Sequence, residues 1–191
     1  MNLFQQKLPY VAYMPFKSDA ISDNNIKLGN KFDFSKINDK ILDSETVEIY
    51  GLGFTVTFDI LYQNHKDIKA KLKILLMDNK QHAIHCATLR SGKNIEDSVQ
   101  FYDNNFKKIK ELAENKCNDI QLKVLDILPP YNIFIFDRDT DNAEIHIHIA
   151  GWDSSSVNGR PFFIIYKKYN KFWFDYFVDQ FDLMWDKSNI I

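Results

Sequence analysis

Apolar residues along this chain gather into short runs separated by polar stretches. The runs Thr46–Tyr50, Leu72–Met77, Leu122–Ile127, Ile133–Asp137, Glu144–Ala150 and Phe162–Tyr166 have strand length and lie between turn-forming residues. "KAKLKILLMD" alternates Lys69, Lys71 and Lys73 with apolar neighbours, then becomes wholly apolar, as a strand entering a buried sheet does. "TVTFDILYQNH" reads as a helix despite its β-branched start, so strand, helix and strand form a parallel βαβ unit. The clearest helix is Asn94 to Lys116. Ile95, Val99, Tyr102, Phe106 and Ile109 mark its inner face, with Asn94 as cap, acids in its first turn and lysines towards its end. Ser35 to Leu42 reads as a shorter helix with Ser35 as N-cap, and Asn170 to Lys187 as an aromatic-rich closing helix. Along that last helix Trp173, Phe177, Phe181 and Met184 or Trp185 form one stripe. "YNIFIFD" and "AEIHIHIAGW" flank the polar loop Arg138 to Asn142 and read as a hairpin.

These elements predict one α/β domain over residues 1–191. Its sheet is expected to be mixed and mostly parallel, with helices on both faces. Residues 1–45 read poorly and stand as an N-terminal extension. There "LPYVAYMPF" suits a strand or an extended arm, and Lys17 to Asn30 looks like a loop.

Composition narrows the function. A chain of 191 residues that is 45% hydrophobic can bury a sizeable core, so disorder is not expected. A net charge of -2 supplies no general field for nucleic acid. No apolar run approaches the ~20 residues of a membrane span, and the first residues do not read as a signal peptide. Cys86 and Cys117 have no paired spacing, which suits a reducing cytoplasm.

Strand, long helix, strand, hairpin, then strand and terminal helix with a "MW" pair is an order that resembles the phospholipase D-like fold. "KAKLKILLMD", "YNIFIFDRDTDNAEIHIHIAGW" and "RPFFIIYKKYNKFWFDYFVDQFDLMWDKS" carry the resemblance, over roughly Thr46 to Ser188. Activity in that family implies a His-x-Lys-x4-Asp motif on the first hairpin strand. The histidine serves as nucleophile or acid, and the lysine holds phosphate charge. With Asp137 in the aspartate place, Pro130 stands where the histidine belongs and Asn132 where the lysine belongs. With Tyr131 in the histidine place, Ile133 and Arg138 take the other two. "GWDSSS" loosely resembles the family's Gly-Ser-x-Asn, with Trp152 in the serine place. The resemblance therefore implies a degenerate member of bacterial or phage origin, with no catalytic residues of the family kind.

His146 and His148 stand two apart in a strand and so share a face with Glu144. The three could hold a metal. No third histidine or cysteine has a recognisable spacing, since His82 and His85 fall on a loop, so an exposed or half-buried polar sheet face is preferred. No cofactor or metal is expected. Gly51-Leu52-Gly53 could present N–H groups to a phosphate, though a tight strand-to-helix turn explains the glycines as well. Arg90 lies near a helix start, where an anion could bind.

The preferred reading is a non-catalytic regulatory or sensing module that binds an anionic small molecule or a protein. Its ligand candidates are His146, His148, Glu144, Asp137, Arg90, Gly51 and Gly53. The alternatives are a hydrolase or nuclease with a site rearranged around His146 and His148, and a purely structural interaction protein. The closing helix carries Phe172, Trp173, Tyr176, Phe177, Phe181 and Trp185, more aromatics than one face buries. Phe172 or Tyr176 is therefore expected outside the core, where the second chain of a homodimer would cover it.

Overall fold

A computed structural model describes residues 26–29, 34–51, 61–63, 67–78, 88, 94–114, 119–127, 131–149 and 161–190. Strands β1 (Ile26–Gly29), β2 (Thr46–Gly51), β3 (Lys71–Met77), β4 (Ile120–Leu125), β5 (Tyr131–Phe136), β6 (Glu144–Ile149), β7 (Phe162–Tyr166) and β8 (Asn189–Ile190) form one sheet. Its order is β1-β7-β6-β5-β2-β3-β4-β8. Helices α1 (Phe34–Asp43), α2 (Ile95–Glu114) and α3 (Lys171–Asp186) cover it. All six predicted strands take part.

The sheet is mixed, as expected, but antiparallel pairing dominates where parallel pairing was expected. Among the described strands only β2 with β3 and β3 with β4 run parallel. The other pairings are antiparallel. Connection length is the reason. A parallel return needs a crossover of about a dozen residues or more. Nineteen residues separate β2 from β3, and α2 fills the gap between β3 and β4. Five residues, with Pro129 and Pro130 among them, separate β4 from β5. The chain must turn back there, and β5 settles beside β2.

Both sheet faces are buried. On one, Ile37 and Ile41 of α1 and Ile109 and Leu112 of α2 pack on Val47, Ile49, Leu72, Ile74, Phe134 and Phe136. On the other, Phe174, Val178, Phe181 and Trp185 of α3 pack on Tyr50, Leu75, Ile133, Ile135, Ile145 and Ile165. Two-sided burial explains why these strands read as continuous apolar runs.

α3 crosses the strands instead of running along them. Its start lies beside β7, where Lys167 Nζ stands 5.6 Å from the Phe174 ring. Its end reaches β4, where Lys123 Nζ donates to the Trp185 carbonyl at 2.8 Å and lies 4.7 Å from the Trp185 ring. Sixteen residues give a helix of about 24 Å at ~1.5 Å each, and the five steps from β7 to β4 span about 24 Å at ~4.8 Å each. The two lengths match only if the axis lies nearly perpendicular to the strands.

Several local expectations shift. Asn94 and Asn170 do cap α2 and α3: Asn94 Oδ1 accepts from the Glu96 N–H at 2.7 Å, and Asn170 Oδ1 from the Trp173 N–H at 3.3 Å. Ser35 lies inside α1, which starts at Phe34. The inner row of α2 is Ser98, Tyr102, Asn105, Ile109 and Leu112, so Ile95 faces outward. Buried Ser98 and Asn105 hid that row from an apolar reading. The inner stripe of α3 is Phe174, Val178, Phe181 and Trp185, with Trp173 and Phe177 half-buried on its flank. β1 and α1 fall within residues 1–45; β1 pairs with β7 and α1 enters the core. β1 and β8 went unread because each is short and lies at a sheet edge. Of "TVTFDILYQNH" only residues 61–63 are described, and they are helical. "LPYVAYMPF" lies outside the described residues.

Arg138, just past β5, fastens α3 from below. Its guanidinium donates from Nη1 and Nη2 to the two carboxylate oxygens of Asp182 at 2.9 and 2.6 Å, and from Nη1 to Glu48 Oε1 at 2.8 Å. Lys73 Nζ also reaches Glu48, at 3.3 Å. Glu48 is buried, so losing the guanidinium strands much of its charge. Arg138→Ala is expected to cost about 2–3 kcal/mol in urea unfolding, below the full cost of a deeply buried pair because Asp182 is partly wet. Asp182→Asn should cost less than half as much.

Candidate functional site

β6 pairs with β5 and β7 in a register that sets Glu144 beside Phe136 and Tyr166, His146 beside Phe134 and Ile164, and His148 beside Asn132 and Phe162. Directly paired residues share a face. Glu144, His146 and His148 therefore lie together on the side covered by α1 and α2.

That side is not a polar rim. Glu144, His146 and His148 are 8%, 7% and 2% exposed, which corrects the expectation of an exposed or half-buried face. Both faces of β6 are core, and one of them is built with polar groups. The His146 ring packs edge-on to Phe136 at 5.3 Å. The His148 ring packs on Phe134 at 5.6 Å and on Phe162 at 6.4 Å.

Glu144 is the electrostatic centre. Its Oε1 lies 2.8 Å from His146 Nε2 and 3.2 Å from Lys40 Nζ, which reaches down from α1. Burial pushes the carboxyl pKa up, but the hydrogen bonds and charges of His146 and Lys40 outweigh it and hold the pKa below the usual carboxylate value. Glu144 is thus a charged acceptor, and Nε2 carries the hydrogen of the His146–Glu144 bond. His146 Nδ1 is buried without a hydrogen-bond partner among the described residues. A carboxylate–imidazole pair suits general-base work where the second nitrogen meets substrate. Here that nitrogen faces the interior, and the pair fastens α1 to β6. The sequence held no spacing that could reveal Lys40. The signal for Glu48 was a lone charge within an apolar strand, and for Lys73 the last lysine of an alternating run.

Asp137 stands at the opposite end of β5 from Asn132, roughly 17 Å away at ~3.3 Å per residue. Its backbone is left-handed, with φ of 50°. Its Oδ1 accepts the Glu45 N–H at 2.8 Å and the Thr46 N–H at 3.0 Å, and its own N–H donates to the Thr46 carbonyl at 3.0 Å. The carboxylate is thereby committed to the start of β2.

The other candidates separate. Gly51 ends β2, at the same end of the sheet as Asn132 and His148. This is the carboxyl end of the parallel strands, where α/β sheets receive ligands. Gly53 and Arg90 lie outside the described residues, as do His82 and His85. Among the described residues no group of three or more His, Cys, Asp or Glu side chains could hold a metal ion. Glu144, His146 and His148 come together as predicted, while Asp137 does not join them.

With this geometry in hand, similarity to solved structures is informative. Phosphatidylserine synthase of Haemophilus influenzae superposes at a TM-score of 0.59 with 11% identity, over 87% of this chain and 39% of that one. NucT of Helicobacter pylori superposes at 0.55 with 11% identity, over 87% and 98%. Both are phospholipase D family members.

The fold is phospholipase D-like.

The archaeal chromatin protein TrmBL2, whose structure shows a mode of DNA binding, superposes at 0.53 with 15% identity. The match covers 93% of this chain and 58% of TrmBL2, so the chain spans little more than half the length of that protein. No protein-family model and no curated protein matches the sequence. Among the described residues no helix is long and apolar enough to cross a membrane.

Two expectations follow. Glu144 has a lowered folded-state pKa, so its contribution is complete above the unfolded carboxylate value of about 4.3 and fades as pH falls through the folded value. Urea midpoints between pH 7 and 3 should therefore fall more steeply for the parent chain than for Glu144→Gln. Asp137→Ala should cost about 2–3 kcal/mol, from lost acceptors and from losing a polar side chain that tolerates positive φ. Asp137→Asn, which tolerates that backbone and keeps one acceptor, should cost about 1 kcal/mol.

Proposed function

We propose that this chain is a non-catalytic phospholipase D-fold module. In this reading it binds an anionic small molecule or a protein partner at the carboxyl end of β2 and β3, in a regulatory or sensing role. The observation that carries the reading is the fate of the catalytic motif. Asn132 occupies the place of the phosphate-holding lysine, and Pro130 that of the histidine. The aspartate that persists, Asp137, is bound to backbone N–H groups. A hydrogen-bonding amide can orient an anion there but supplies no charge for phosphoryl transfer. The fold cannot decide the matter, because it hosts catalysis and binding alike. The two cysteines, with no paired spacing, support a reducing cytoplasmic setting.

A second reading, hydrolysis at a rearranged site, is favoured by the His146–Glu144 pair at 2.8 Å. Its burial weighs against it.

Purified protein is expected to leave DNA, RNA and phospholipid uncleaved. Inorganic phosphate or a nucleoside monophosphate at about ten times its Kd should raise the Tm by roughly 3–6 °C, and Asn132→Ala should remove that rise. Turnover that vanishes in His146→Ala or His148→Ala, with circular dichroism unchanged, would establish the second reading instead.

A further inference from the structure

α2 turns two of its apolar residues away from the core. Ser98 and Asn105 are buried on its inner side, where Ser98 Oγ donates to the Asn94 carbonyl at 2.9 Å. Ile95 and Val99, one turn apart, lie outside that row, and Ile95 is 36% exposed. Core packing does not account for this pair. The two side chains are the apolar part of a surface cavity of about 580 Å³, within the ~300–1,000 Å³ usual for small-molecule sites. Its other described lining residues are Glu96, Gln100, Asp103 and Asn104, also of α2.

The lining selects by charge. From Asn94 to Phe106 the helix carries Glu96, Asp97 and Asp103 and no lysine or arginine. Glu96 and Asp97 fall in the first turn, where the helix dipole explains an acid. Asp103 lies two turns further on, beyond the reach of that effect. Seven residues separate Glu96 from Asp103. The two carboxylates therefore share a face, about 10 Å apart along the axis at ~1.5 Å per residue. Gln100 stands between them, and its side-chain carbonyl can accept an N–H. Ile95 and Val99 run alongside. Two anionic ends, an amide acceptor between them and an aliphatic strip match a linear ligand with a cation at each end, a donor near its middle and methylenes elsewhere. Methylene stems lie on apolar surface in the same way when a lysine keeps its ammonium at the rim.

We propose that the α2 cavity binds a linear polyamine of triamine length, with its terminal ammonium groups on Glu96 and Asp103 and its methylenes over Ile95 and Val99. A polyamine is opposite in charge to the anion proposed for the sheet end, so this site does not rest on that reading.

Calorimetric titration of the full chain with spermidine at about 20 mM salt, where exposed charges are little screened, tests the proposal. One spermidine per chain should bind saturably. Absence of saturable heat up to about 5 mM overturns it. Butylamine, with a single ammonium, should bind at least tenfold more weakly, and equal affinity would refute the two-point contact. Glu96→Gln and Asp103→Asn should each weaken spermidine about threefold, and together about tenfold, with circular dichroism unchanged. Asp97→Asn removes the same charge from a neighbouring position outside the cavity lining, and it should cost less than half as much affinity as Glu96→Gln. Equal losses would mean diffuse attraction to an acidic surface and would overturn the site. Should Asp103→Asn lower the unfolding midpoint, the comparison of Glu96→Gln with Asp97→Asn decides alone. Binding of tetralysine without binding of spermidine would put a basic protein segment in place of the small amine and overturn the proposal as well.

Discussion

The seam between β2 and β5 holds this molecule together. On one side lie the parallel strands β2, β3, β4 and their edge strand β8. On the other lie the antiparallel strands β5, β6, β7 and β1. The halves meet through four paired positions, and Asp137 closes the seam by gathering the first N–H groups of β2. A left-handed residue there costs free energy that its side chain and backbone hydrogen bonds offset. The next residue, Arg138, turns the other way and binds Glu48 of β2 and Asp182 of α3. Two neighbouring residues thus fix the strand register and the helix over it.

Much of this was legible in the sequence. A strand buried on both faces cannot hide, because every position must be apolar or paired, and all six predicted strands are present. What apolar pattern cannot show is direction. Strand sense follows from connection length, and the five residues between β4 and β5 were the legible clue to antiparallel pairing. Nor does pattern separate a polar face that is wet from one that is neutralised. Glu144, His146 and His148 look like a solvent face by residue type. Lys40, about a hundred residues earlier, and the aromatic rings of β5 and β7 make their burial tolerable. The phase of the helices failed for a related reason. Ser98 and Asn105 sit inside α2, and α3 carries aromatics nearly all round, so the stripe through Trp173 and Phe177 looked as apolar as the inner one through Phe174 and Val178.

The crossing of α3 links fold to surface. A helix laid along a strand buries its stripe against few neighbours. A helix laid across six strands touches each of them briefly, and it must bring a different side chain to each contact. Phe174, Val178, Phe181 and Trp185 do this, while Trp173 and Phe177 fill the wedge beside the axis, where Tyr131 meets Phe177 edge-on at 5.8 Å. The aromatic excess of the sequence is thereby divided. One row serves the sheet, a second fills its flank, and a third, Phe172 and Tyr176, packs edge-on against that flank and stays exposed.

The positions matched to the motif have separate physical tasks. In the family pattern histidine, lysine and aspartate sit on one strand, and a reader expects them to rise and fall together. Their physical tasks differ. In that pattern histidine and lysine act on substrate; Asn132, at the lysine position in one register, sits beside His148 within an intact sheet. Asp137 acts on the protein itself, since its carboxylate satisfies backbone donors at the seam, and its loss would be felt in stability before any chemistry was tested. The position of Asp137 is therefore accounted for by folding alone, through the two backbone N–H groups its carboxylate accepts.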